Sequence, residues 1–312
     1  MTRLDAPVRP AYRPYTVRVA AVDRLAPHFV RVTFTGDELE HFGTAGLDQR
    51  IKLVFPPPGI PGGYADFGQD AAAGDWYDRW RALPAAERNP FRTYTVRRVD
   101  ADAREVDVDF VVHHDAGPAG SWADDATPGD ELVLVGPDER SPASRVGLDW
   151  HPGTARRLLL AGDETAAPAI CGILESLDPR CDVDAFIEVP AAADILSPRV
   201  PPGVRLTWVP RADAPHGERL VAAVAAWTRR HPTLLARAAA PRPQVLEEID
   251  VDSELLWDSP EVITEGEFYA WMAGESGTVK TLRRHLVTGC GVDRGRVAFM
   301  GYWRLGQAER SE

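Results

Sequence analysis

The feature that most restricts what this 312-residue chain can become is a change of hydrophobic period near residues 138–154. Before it lie six short β-rich runs, at 16–20, 29–35, 51–55, 92–97, 105–112 and 131–135, with turns between them and little helix. That pattern predicts an N-terminal antiparallel six-stranded Greek-key β-barrel over residues 1–145. After it, apolar strands at 157–161, 184–189, 204–209, 268–273 and 296–301 alternate with helical spacing at 166–177, 218–230 and 278–287. Strand and helix in alternation predict a parallel α/β, Rossmann-like nucleotide-binding domain over 146–312. Two domains also suit the length, since single cores stop growing at roughly 250–300 residues.

Three stretches stand outside this pattern. The Pro56–Gly63 tract holds four prolines and three glycines, which cannot continue a strand and predict a surface loop. Residues 75–88, with Trp76, Trp80 and Leu83, predict a short helix that returns the chain to the next strand. Residues 231–264 read as an insertion that packs through Leu256 and Trp257 and exposes the carboxylates of 247–252.

Composition excludes several classes of function. With 35 basic and 47 acidic residues the net charge is −12, which disfavours nucleic acid as a partner. No apolar run approaches the roughly 20 residues of a membrane helix, and residues 1–14 lack the apolar core of a secretory signal. Cys171, Cys181 and Cys290 are widely spaced and odd in number, which argues against a disulfide framework, a zinc site or an iron–sulfur cluster. A cytoplasmic monomer without a metal centre is expected.

Two segments carry the chemistry. Arg92-Thr93-Tyr94-Thr95-Val96-Arg97 alternates apolar and polar positions as a strand does, and offers an aromatic ring, hydroxyls and guanidinium groups. After the next strand, His113-His114-Asp115-Ala116-Gly117-Pro118-Ala119 runs into a small-residue turn, with Trp122 following. A Gly-Pro-Ala turn at a helix start presents N–H groups without helical partners, the natural partner of a phosphate. Together the two suit a polar ring attached to a phosphate chain, and suggest a flavin nucleotide.

These segments also resemble the siderophore-interacting proteins, a family of ferredoxin-reductase-like flavoenzymes. So do Pro128-Gly129-Asp130, Ala161-Gly162-Asp163-Glu164-Thr165-Ala166 with Pro168, Ala273-Gly274-Glu275, and Gly301-Tyr302-Trp303-Arg304. The matches run in order from about residue 15 to 306. The resemblance implies an FAD-dependent reductase of ferric siderophores that draws electrons from NADH or NADPH.

Residue by residue, it places Arg92 at the FAD pyrophosphate, Tyr94 against the isoalloxazine ring, and Thr95 near flavin N5. Thr93, His113 and Asp115 join the cofactor set, with Gly117, Pro118 and Ala119 at the pyrophosphate. Trp122 belongs either to the cofactor or to the core, and core packing is the plainer expectation. For the nicotinamide nucleotide the expected residues are Thr165, Arg211, Gly274, Glu275 and Lys280. Thr165 reads as a helix N-cap, and Arg211 as a partner for a ribose 2′-phosphate. Asp163 and Glu164 stand out there, because they would repel a pyrophosphate unless they face away or bond the helix start. Lys52, Arg140 and Arg304 are expected to line the substrate opening, although Asp138 and Glu139 put acids beside Arg140. Two rival readings remain at this stage: a general NAD(P)H–flavin oxidoreductase serving a separate protein acceptor, and a non-catalytic siderophore- or flavin-binding carrier.

Overall fold

The computed structural model describes residues 9–57, 63–68, 75–112, 117–247, 256–260 and 266–307. The chain divides into two compact units. One is Phe29–Leu148 with the strand residues up to Leu25, and the other is Asp149–Arg310 with Ala26–His28.

The first unit is an antiparallel sheet of seven strands: β1 (Tyr12–Ala26), β2 (Phe29–Thr35), β3 (Arg50–Val54), β4 (Phe91–Thr95), β5 (Arg98–Asp100), β6 (Glu105–Val111) and β7 (Glu131–Pro137). Their order is β4-β3-β7-β1-β2-β6-β5. The sheet curls because its first and last members are consecutive in the chain. The Val96 N–H bonds the Gln49 carbonyl on the β3 side, and the Arg97 N–H bonds Asp107 on the β6 side, at 2.9 and 2.8 Å. Six strands were expected, and β5 is the seventh. Its Arg98-Val99-Asp100 has no apolar run to announce it, and it is held by pairing with β6.

Alternation drives the burial. Tyr15, Val17 and Val19 of β1 and Val106, Val108 and Phe110 of β6 point into one core. Between the latter, Asp107 and Asp109 are buried but paired: Arg31 bonds Asp109 through two nitrogens at 2.6 and 2.9 Å, and Arg98 bonds Asp107 at 2.8 Å. A second cluster, on Val54, Phe67, Phe91, Val133 and Val135, is closed by Trp80 of helix α1 (Trp76–Ala82). Helix α2 (Pro118–Asp125) follows β6.

The second unit has a six-stranded sheet of β8 (Arg157–Gly162), β9 (Asp182–Val189), β10 (Val204–Pro210), β11 (Trp257–Asp258), β12 (Phe268–Glu275) and β13 (Val297–Trp303). The order is β10-β9-β8-β12-β13-β11. Leu158 to Ala161 are all fully buried, as a strand covered on both faces requires. Helices α4 (Glu218–Arg230) and α6 (Ser276–Arg283) share a core with Leu159, Ala161, Ala270 and Met272, while α3 (Ala167–Ser176) follows β8.

Two departures from the expected parallel sheet come from the region read as an insertion. It contains helix α5 (Pro232–Ala238), whose Leu234, Leu235 and Ala238 enter the core, and it returns as β11, antiparallel to β13. Leu256 is fully buried, and Arg283 pins the edge strand through Asp258 at 2.9 Å. Most of the acidic run expected at the surface, from Glu248 to Asp252, lies outside the described residues. The helix expected to continue to Val287 widens after Arg283 into a π-helical turn.

Candidate functional site

Strand β4 carries four predicted cofactor residues in a row, and the register with β3 sorts them by face. Arg92 and Tyr94 stand opposite Leu53 and Ile51, both core residues, whereas Thr93 and Thr95 stand opposite Lys52 and Arg50. Lys52 Nζ donates to Thr93 Oγ1 at 2.6 Å, so the predicted substrate lysine and one predicted cofactor threonine are brought together. Arg92 is half-buried and donates to the Phe91 carbonyl at 2.7 Å. Tyr94 packs on Phe110 with ring centroids 4.5 Å apart, and Thr95 is buried.

Helix α2 starts from Gly117, whose backbone is extended, with Pro118 at the first turn. No side chain of the described residues caps this start, and its first turn holds no acid. A Cβ on Gly117 would meet no described atom within 4 Å. Ala119 and Trp122 pack inward: the indole lies 6.0 Å from Phe34, 5.6 Å from Phe55 and 5.9 Å from Phe110. Trp122 is half-buried and packs against the barrel core. His113 and Asp115, like His114 and Ala116, lie outside the described residues.

Arg140, expected at the substrate, is bound to Asp138 through Nε at 2.8 Å and Nη2 at 2.6 Å. Burial works against the Asp138 charge, but Arg140 outweighs it and holds the carboxyl below its ordinary range. The guanidinium is thus directed at its own chain, as the neighbouring acids warned. Arg304 lies one residue past β13 and bridges to Gln307.

The second unit gathers its acids at the carboxyl ends of β8, β9 and β12, where open parallel sheets bind nucleotides. Asp163 and Glu164 are each 1% exposed and face inward. Asp163 Oδ1 accepts from the Thr165 N–H (2.9 Å) and hydroxyl (2.5 Å). Its Oδ2 accepts from the Glu275 N–H (2.7 Å) and from Trp303 Nε1 (2.8 Å). Four donors satisfy a carboxyl that burial and the neighbouring Glu164 charge push above the usual range. Thr165, predicted to cap α3, instead donates to Asp163; the helix begins at Ala167, with Ala166 before it.

Gly274 is needed at its position. Its φ is +138°, and a Cβ there would run into the Asp163 carboxyl. Glu275, predicted at the nucleotide, caps α6 from within: Oε2 accepts from the Thr278 N–H at 2.7 Å. Lys280 lies on the same helix and is half-buried.

Arg211 departs furthest from expectation. Its two terminal nitrogens bond the two Glu164 oxygens, each at 2.7 Å, and Nη1 lies 3.9 Å from Glu188. Burial would raise the Glu164 pKa, but His216 and Arg211 outweigh it and lower the carboxyl to about 2. Sequence reasoning did not find His216 or Glu188. The imidazole is 91% buried, its Nε2 is 3.6 Å from Asp163 and 3.7 Å from Glu164, and neither ring nitrogen has a hydrogen-bond partner. Burial lowers its pKa, yet the two carboxylates prevail and raise it. Glu188 is fully buried and accepts from the Gly217 and Leu220 N–H groups at 2.8 and 3.1 Å, which caps α4. A carboxylate next to the end of an apolar parallel strand was the available signal for it.

Known proteins resemble this chain. The model of the siderophore-interacting FAD-binding domain matches residues 18–141, and that of the siderophore-interacting protein matches 155–306. The chain belongs to the siderophore-interacting protein family.

Within that family, an uncharacterised protein of Mycobacterium bovis is 34% identical over 96% of this chain and 93% of its own length. A ferric vibriobactin reductase of Vibrio cholerae is 28% identical over 92% and 88% of the two chains. The crystal structure of a siderophore utilization protein from T. fusca superposes with a TM-score of 0.67, at 28% identity over 97% of each chain. A ferredoxin NADP+ reductase of Neisseria gonorrhoeae shares the fold alone, with a TM-score of 0.56 at 13% identity over 93% of this chain and 99% of its own.

Unit one is accordingly the FAD-binding domain, and its donor set suits that cofactor. It offers a ring on β4, hydroxyls beside it, the cations Arg92 and Lys52, and a helix start left without a side-chain cap. Among the described residues, no helix is long and apolar enough to cross a membrane.

Proposed function

We propose that this flavoenzyme is an NAD(P)H-dependent ferric-siderophore reductase. One NAD(P)H and two ferric complexes give NAD(P)+, one proton and two Fe(II), which siderophores hold weakly. The observation that carries the reading is the α2 start, which among the described residues has no side-chain cap and no first-turn acid, on the same unit as the Arg92–Thr95 row. It is the feature a bound pyrophosphate requires.

FAD supplies the chemistry when bound, because it takes two electrons as a hydride and releases them singly. The residues supply position. The Ala119 and Gly120 N–H groups and Arg92 would hold the pyrophosphate, Tyr94 would hold the ring, and the Thr95 hydroxyl would hydrogen-bond N5, donating or accepting as its protonation changes. Lys52, fixed by Thr93, gives an acidic protein a local positive charge for an anionic ferric complex, with Arg304 as a second contact. The widely spaced free cysteines suit a reducing cytoplasm.

A non-catalytic carrier would have rested on Asp163 and Glu164 as bare charges at a nucleotide turn. Both are buried and bonded inward, which removes that ground.

The test is anaerobic mixing of the holoenzyme with NADH or NADPH, with and without a ferric siderophore and an Fe(II) trap. Flavin bleaching and Fe(II) formation are expected together; bleaching without Fe(II) formation would point to another acceptor. Arg92→Ala removes a charge-assisted contact of about 1.5–3 kcal/mol, so FAD affinity is expected to fall ~10- to 100-fold. Full retention of FAD by that variant would overturn the site.

A further inference from the structure

We infer that Glu164 sets nucleotide preference: by holding Arg211, it denies a guanidinium to a ribose 2′-phosphate, and the crevice takes NADH in preference to NADPH. The inference deepens the proposed function and rests on the second unit binding the nicotinamide donor.

Three observations carry it. Arg211 is the basic residue that follows β10, and both ends of its fork are closed by one buried carboxylate at 2.7 Å. Around it the buried charge is mostly negative, with Asp163, Glu164 and Glu188 against Arg211 and His216. The helix starts at the same end of the sheet are already satisfied. Glu188 caps α4 and Glu275 caps α6. The turn into α3 closes on Asp163 and on backbone bonds from Ala166 and Ala167, before Pro168, which has no N–H.

A 2′-phosphate brings nearly two negative charges to this place. To gain Arg211 it would have to displace Glu164 and take from a buried carboxylate the guanidinium that bonds both its oxygens, a costly exchange. A 2′-hydroxyl brings no charge and leaves the pair intact. The competing cation is Arg219, exposed on α4, whose described side-chain bond goes to the Pro210 carbonyl at 2.8 Å.

The test has two arms. In stopped-flow reduction of the holoenzyme, NADH is expected to exceed NADPH by about ten-fold or more in kred/Kd, a difference of ~1.4 kcal/mol. Glu164→Gln should narrow that ratio several-fold through faster NADPH reduction, while Arg219→Ala leaves it unchanged. In calorimetric titration of the wild type, adenosine 5′-monophosphate should bind more tightly than adenosine 2′,5′-bisphosphate. That arm reads the preference without catalysis and without depending on how a variant folds. The inference is overturned if NADPH matches or exceeds NADH, if the bisphosphate binds more tightly, if a folded Glu164→Gln keeps the wild-type ratio, or if Arg219→Ala abolishes NADPH use. Reduction by neither nucleotide is a different result, and would overturn the donor reading itself.

Discussion

The start of α2 and the helix starts of the second unit are built in opposite ways. Among the described residues, no side chain caps α2 at Gly117 and its first turn holds no acid. In the second unit Glu188 and Glu275 bond the first N–H groups of α4 and α6, and Asp163 closes the turn into α3. A helix start is a site of positive potential that must be answered by something. The second unit answers from its own chain, which makes its starts structural. In the FAD-binding domain no described side chain answers the start of α2, which is the ground of the proposed pyrophosphate site. A nucleotide in the second unit must therefore be held by means other than a phosphate on a bare helix N-terminus.

The largest expected break of this contrast is Glu188→Ala. It leaves the buried Gly217 and Leu220 N–H groups without an acceptor and takes a charge from beside Arg211. Each unsatisfied group costs about 1–3 kcal/mol, so a loss of roughly 3–4 kcal/mol is expected in denaturant unfolding. A loss under about 1 kcal/mol would mean that the cap is incidental.

Acid should separate the units next. The Glu164 carboxyl titrates near 2 when folded and near 4.5 when unfolded. Its lowered pKa contributes stability that is fully present above 4.5 and is lost as pH falls toward 2, up to about 3 kcal/mol. Asp163, raised by burial, contributes with the opposite sign. The difference between wild type and Glu164→Gln therefore isolates Glu164, and pH-dependent unfolding of the two should converge only as pH falls to about 2. Parallel curves would contradict the pairing.

The smallest effect tests α2. Gly117→Asp installs the acid that the second unit already uses. It should stabilise the apoprotein slightly while FAD affinity falls about ten-fold, as expected for a charge opposed to phosphate at a helix start. Unchanged FAD binding would place the pyrophosphate elsewhere.

Much of this was legible in the residues. The period change near 138–154, the strand at 92–97 and the Gly-Pro turn at 117–118 are local patterns, and local patterns follow from backbone sterics and side-chain alternation. The departures from expectation have a common cause. Arg211 looked like a phosphate ligand because its partner lies 47 residues away, and Thr165 looked like a cap because Asp163 accepts its hydroxyl instead. Strands β5 and β11 were missed because three or two mixed residues become a strand only when a neighbour offers its edge.

The sequence by itself determined the two-part architecture and the family. Each of these is written in contiguous residues whose spacing is read against a helix or strand period. Only the tertiary structure decided which charges are free. Burial and partnership join Asp163 to Trp303 across 140 residues and Glu164 to Arg211, while Glu188, Glu275 and Asp163 make three helix starts of the second unit structural.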